Sequence, residues 1–146
     1  MQGTVLALAL RPEKGGAMAL AESIALTPGN GVMGDHGTSQ RRQVTLLDEA
    51  AWQTACAEIG AELDWTTLRS NILVSNLDLQ ELVGRQILVG NALVEIIGEV
   101  VPCHVMDAAQ KGLKDALKPE WRGGVYGRII QSGSVHIDDP ISATLM

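Results

Sequence analysis

Gln86-Ile-Leu-Val-Gly-Asn-Ala-Leu-Val-Glu-Ile-Ile-Gly-Glu-Val-Val-Pro-Cys103 is the stretch that decides the fold. Gln86–Val89 and Ala92–Val101 are rich in β-branched and aliphatic residues, and Gly90-Asn91 between them has the chemistry of a tight hairpin turn. Pro102 then lacks the N–H that a central ladder needs, so the chain leaves the sheet there. That places Cys103 at a strand end, where a rigid scaffold carries functional groups.

Strand signals recur on both sides of this hairpin. Thr4–Leu10 is apolar at both alternating positions, as in a strand buried on two faces, and Arg11-Pro12 stops it. Ala19–Leu26 is a second strand, ended by the turn-forming Thr27-Pro28-Gly29-Asn30-Gly31. Asn71–Ser75 is a short one. Val125–Gln131 and Ser134–Ile137 predict a final hairpin around Ser132-Gly133, ended by Asp138-Asp139-Pro140. Leu46–Ile59 has helical spacing, with acids Asp48 and Glu49 near its start and Gly60 at its stop. Asp107–Leu117 predicts a short helix closed by Lys118-Pro119. The sum is a β-rich α+β fold: a partly closed β-barrel of about seven mostly antiparallel strands with two or more helices packed outside.

Composition narrows the function. The chain has 146 residues, a length suited to one domain, and a formal charge of -6, with three Trp, one Tyr and no Phe. Few rings and an acidic balance argue against a nucleic-acid partner, which calls for basic grooves and stacking platforms. No stretch approaches the ~20 apolar residues of a membrane span, and Val5–Leu10 lacks the flanks of a signal peptide, so a cytoplasmic protein without a membrane partner is expected. Charge is uneven, however: residues 103–146 hold five of the eleven cationic side chains and are formally neutral, so an anion can be held locally.

Two cysteines with no C-x-x-C spacing exclude a disulfide scaffold and a zinc finger. Cys56 lies four residues after Trp52 on an amphipathic helix and is read as packing. Cys103 follows Pro102 and stands beside His104 at an element boundary; both packing and thiol chemistry are open to it. Gly29-x-Gly31-x-x-Gly34 is not a dinucleotide fingerprint, because Pro28 precedes it and no helical periodicity follows. Asp35 and His36 bring a carboxylate and an imidazole to that polar loop. Arg69 and Asn71, two apart in an extended segment, face the same way and are able to converge on one anionic or heterocyclic ligand. Arg41-Arg42 are further cations beside the first helix. No G-x-S-x-G, Walker lysine or H-E-x-x-H occurs.

In succession, Gly31-x-x-Gly34-Asp35, Arg42-Gln43-Val44-Thr45-Leu46-Leu47, Arg69-Ser70-Asn71-Ile72, Leu82-x-Gly84-Arg85, Pro102-Cys103 and Arg122-Gly123-Gly124-Val125-Tyr126-Gly127-Arg128 resemble the MOSC domain, named for the C-terminal part of molybdenum cofactor sulfurases. The likeness spans nearly the whole chain and implies a single, free-standing MOSC-like domain over residues 1–146. It implies that Cys103 is the cysteine that accepts sulfur as a persulfide or ligates molybdenum in a pterin cofactor. Arg69 and Asn71 fall on cofactor-contacting positions, and Arg11 and Lys14 lie near where basic residues meet the cofactor phosphate. Asp35 and His36 stand where many relatives read Gly-Asp-Arg, so His36 replaces a phosphate-binding arginine and lacks its fork.

The resemblance therefore implies the molybdenum cofactor (molybdopterin) and sulfur or cofactor handling. The chain has no pyridoxal-phosphate desulfurase region and too few cysteines for an iron–sulfur cluster. Sulfur is then expected from a cysteine desulfurase or other sulfur donor, or electrons from an external redox partner. A molybdenum-dependent reductase component for N-hydroxylated compounds is the second reading the family implies. A non-catalytic binding or regulatory module is the third.

Overall fold

The computed structural model describes residues 2–144 of the chain. Eleven strands run β1 (Gln2–Leu10), β2 (Ala19–Ala21), β3 (Ser23–Thr27), β4 (Gly31–Val32), β5 (Val44–Asp48), β6 (Ile72–Ser75), β7 (Gln86–Val89), β8 (Ala92–Glu99), β9 (Val125–Gln131), β10 (Gly133–His136) and β11 (Pro140–Ala143). Helix α1 (Glu49–Glu58) follows β5, while α2 (His104–Ala109) and α3 (Leu113–Leu117) lie between β8 and β9.

The expected hairpin forms as read: β7 pairs with β8 from Gln86↔Glu95 to Val89↔Ala92. From it the sheet continues through β9, β5, β6 and β1, and β11 bonds both β1 and β7. The seven strands thus close into a barrel, where the sequence reading expected partial closure. All pairings around it are antiparallel except β5–β6, which α1 joins as a crossover between parallel strands. The far edge of β1 is shared, β11 taking Gln2–Thr4 and β2 taking Leu8–Leu10. A small second sheet is ordered β10-β3-β4.

Several expected elements are corrected. Ala19–Leu26 is not one strand, for the chain changes sheets at Glu22, β2 pairing β1 and β3 pairing β10. Val125–Gln131 and the following strand form no hairpin, because β10 aligns with β3 from Gly133↔Leu26 to His136↔Ser23. Asp138-Asp139-Pro140 does not end the sheet but leads into β11, which closes it; a proline is tolerated as the first residue of a strand. The helix expected from Leu46 begins at Glu49. Val44–Leu47 instead pair with strands on both sides, and Asp48, in extended conformation, caps α1 by accepting the Ala51 N–H at 3.0 Å. The helix expected over Asp107–Leu117 is two helices, parted at Gly112, whose φ of 90° no regular helix accommodates.

Strand alternation sorts the apolar side chains into two cores. Val5, Leu46, Ile72, Val74, Ile96 and Val125 fill the barrel. Their neighbours Ala9, Leu47 and Leu73 point outward and are covered by Trp52, Ala55 and Cys56 of α1 and by Leu113 and Leu117 of α3. Both faces of β5 and β6 are therefore apolar, a pattern shared with strands buried on two sides. Cys56 is packing as expected, and burial pushes its thiol pKa up against the opposing Leu63 N–H.

Candidate functional site

The chain leaving β8 reaches the buried Pro102, and Cys103 sits four residues past the strand, at the head of α2 rather than at a strand end. Its thiol is exposed. Gly123-Gly124 makes this path fit: a Cβ on Gly124 would run into the Leu46 carbonyl, and one on Gly123 would lie 2.8 Å from the Val100 oxygen. Gly124 also adopts φ +91°, which other residues rarely take.

A pocket of about 330 Å³ opens between this segment, the loop before β6 and the loop before β5. Cys103 lines it together with Arg42, Thr45, Arg69 and Asn71; Val101, Val105 and Met106 form an apolar wall beside the thiol. No carboxylate lines this pocket, although the chain is acidic overall. Two other clefts carry three acids each: Glu49, Glu62 and Asp64 beside α1, and Asp48, Asp78 and Glu120 on the other side of that helix's start. Arg69 is exposed and its guanidinium has no hydrogen-bond or ion-pair partner among the described residues. The Arg42 guanidinium lies 5.2 Å from the centre of the buried Tyr126 ring, a cation–π contact that keeps its charge beside the pocket.

Of the residues singled out from the sequence, Cys103, Arg69 and Asn71 meet in this pocket. Asn71 is 1% exposed, and its side chain is fully engaged within the protein. Its oxygen accepts the Thr45 N–H at 3.1 Å, with the Thr45 hydroxyl at 3.2 Å; its amide donates to the Ala9 carbonyl at 3.2 Å and to Asp35 Oδ2 at 3.0 Å. With those capacities used, Asn71 shapes the wall rather than offering a free donor.

Asp35, His36 and Arg11 stand behind the pocket and do not line it. Asp35 Oδ1 accepts the backbone N–H of Arg11 at 2.8 Å and of Gly37 at 3.0 Å. His36 is exposed and meets Arg11 through its backbone, donating to the Arg11 carbonyl at 2.8 Å and accepting Arg11 Nη2 at 3.1 Å. Arg11 is 8% exposed, and its Nε is a buried donor without a partner. Gly37, on the pocket wall, brings that donor close to the opening: a Cβ there would lie 3.9 Å from Arg11 Nε. Lys14 is exposed and lines no part of the pocket. Arg42, read from the sequence only as a further cation, lines the pocket as well; Thr45 and the apolar wall were not singled out, although Arg42 and Thr45 lie in a quoted motif.

This donor set fits an anion-bearing group that brings its own chelator. Among the described residues no cluster of three His, Cys, Asp or Glu is placed to hold a metal. A single thiolate can complete the shell of a soft metal already chelated elsewhere, and guanidinium forks with an unspent buried N–H suit a phosphate.

A closed mixed barrel with a Pro-Cys pair delivered to an acid-free pocket defines the class to which the chain is assigned: residues 33–142 match the MOSC domain, and the chain belongs to that family. Its fold is similar to that of the YuaD protein from Bacillus subtilis, with a TM-score of 0.81 at 20% identity over 97% of this chain and 94% of that one. It is likewise similar to YiiM from Geobacillus stearothermophilus, TM-score 0.76, 12% identity, covering 98% of this chain and 75% of that one. YiiM from Escherichia coli gives a TM-score of 0.71 at 15% identity, with 100% and 71% covered. At these identities the likeness is one of fold. Comparison with curated proteins gives no match. Among the described residues no helix is long and apolar enough to cross a membrane.

Proposed function

We propose that this protein acts in sulfur or molybdenum-cofactor handling, with Cys103 as the group that accepts sulfur as a persulfide or ligates molybdenum held by a pterin. The supporting observation is the meeting of the exposed Cys103 with Arg42 and Arg69 on one pocket that no acid lines.

In the sulfur-accepting role, the Cys103 thiolate attacks the outer sulfur of a donor persulfide, as a cysteine desulfurase or other sulfur donor carries. The donor S–S bond breaks, the donor cysteine leaves as thiolate, and Cys103 holds the sulfur with no oxidant consumed. In the ligand role, Arg42 and Arg69 would hold the cofactor's phosphate and Cys103 would offer one thiolate. The molybdenum centre, when bound, would supply oxygen-atom or sulfur transfer, and the chain's own side chains would orient it.

The test is intact mass together with molybdenum analysis of protein prepared unreduced from molybdate-supplied cells and incubated with a cysteine desulfurase and cysteine as the persulfide donor. A one-sulfur adduct that maps to Cys103, or bound molybdenum lost on Cys103→Ser, supports the proposal. Neither signal in fresh protein overturns it.

A further inference from the structure

Asp35 joins three segments that are remote in sequence. Its Oδ1 holds the backbone N–H groups of Arg11, at the exit of β1, and Gly37, on the pocket wall. Its Oδ2 holds Asn71 Nδ2 at 3.0 Å, 36 positions away. Asn71 in turn fixes Thr45 on β5, and the Thr45 hydroxyl lies 3.2 Å from the Arg69 carbonyl and receives the Asn71 N–H at 3.1 Å. The backbone that carries the unpartnered Arg69 guanidinium is therefore set by a chain of hydrogen bonds anchored at Asp35. We propose that Asp35 is the positioning residue of the pocket's cationic wall, acting through Asn71 and Thr45 on Arg69 and touching no ligand itself. This rests on the reading of the pocket as a site for a phosphate-bearing ligand.

The chemistry of Asp35 is not replaceable by its isostere. A carboxylate accepts on both oxygens, and all three of its partners are N–H donors. In Asp35→Asn one rotamer sets the new NH2 against Asn71 Nδ2, and the other sets it against the N–H groups of Arg11 and Gly37. Either way donor meets donor, and a buried group loses its partner. Exchanging the two groups, Asp35→Asn with Asn71→Asp, restores the donor–acceptor pair between positions 35 and 71. It leaves the new carboxylate facing the Ala9 carbonyl, so recovery is partial.

The experiment measures the affinity of the full chain for inorganic pyrophosphate by calorimetry, with the melting temperature and the rate of Cys103 alkylation recorded for each variant. Arg69→Gln is the reference for losing the guanidinium. Asp35→Asn is expected to weaken pyrophosphate about tenfold or more, the effect of one lost buried hydrogen bond, and the exchanged double variant to regain part of it. Thr45→Val, which cuts the same network at the hydroxyl, serves if Asp35→Asn does not fold, and is expected to weaken binding likewise.

If Arg69→Gln loses affinity while the Asp35 or Thr45 variant binds as the parent does, the positioning role is overturned and the pocket reading stands. A double variant that regains melting temperature over Asp35→Asn but no pyrophosphate affinity also overturns it, since a residue serving only the fold recovers stability alone from the exchange. If the parent and Arg69→Gln do not differ, the phosphate-binding reading fails and this proposal with it.

Discussion

The Val100 N–H donates to the Gly124 carbonyl at 2.9 Å, tying the segment that carries Cys103 to the start of β9. The contact exists because Gly124 packs backbone to backbone against Leu46. Position of the thiol and packing of the barrel wall are thus one constraint.

Gly124→Ala is accordingly expected to cost about 1–3 kcal/mol for the left-handed backbone alone, with the collision at Leu46 adding to it. Urea unfolding reads the loss. A change below about 0.5 kcal/mol, the ordinary scatter of surface substitutions, would contradict this account of the glycine pair.

The two thiols should separate cleanly on alkylation. Iodoacetamide is expected to add one group to the native protein, at Cys103, and a second, at Cys56, only in denaturant. Cys56 is buried and its pKa is raised by that burial. Native labelling of both at similar rates, seen by peptide mass mapping, would refute the packing role of Cys56.

Arg122 Nη1 bonds Glu58 Oε1 at 2.8 Å and the Ala116 carbonyl at 3.0 Å, linking α1, α3 and the approach to β9. The carboxylate is half exposed and the arginine is mostly covered. Glu58→Gln should therefore cost at most about 1 kcal/mol, as exposed pairs do. Arg122→Ala should cost more, because it also removes packing and a helix-end donor. Equal effects of the two in thermal melts would be the contrary result.

Asp48 and Asp64 should give opposite pH signatures. Burial, with a smaller push from Asp78 against the Ala51 N–H, raises the Asp48 pKa. The native state then holds the proton longer than the unfolded chain, so stability falls as pH rises from the ordinary carboxylate value through the raised one. Asp48→Asn keeps a capping side chain and removes that loss, so its stability relative to the parent should rise between about pH 3 and pH 7. Asp64 is held low by the Thr66 hydroxyl and then the Thr66 N–H. Its contribution is present above the ordinary value and vanishes as pH falls through the lowered one, so Asp64→Asn should instead lose ground toward neutrality. Melts at the two pH values with the same trend for both variants would contradict the assignment.

Much of the site was legible because its residues sit in local signals. Pro102 announced that the chain leaves the sheet before Cys103, and Arg69-Ser70-Asn71 was marked as a cation and an amide on one face. Arg42 read only as a further cation because nothing local shows that it lies beside the Tyr126 ring and the pocket. Nothing local shows what the Asp35 and Asn71 side chains bond, since their partners lie up to 62 positions away.

By itself the sequence determined the β-rich class, the β7–β8 hairpin, the packing role of Cys56 and the family. These follow from alternation, turn chemistry and motif order, which act over a few residues or survive as a linear pattern. Only the tertiary structure decided that the barrel closes, that β10 leaves β9 for β3, that Pro140 opens β11, and that Arg42 joins Arg69 at an acid-free pocket. Pairing partners of a strand are chosen by register and burial across the whole chain, and the charge around a pocket is set by which distant loops the closed barrel brings together.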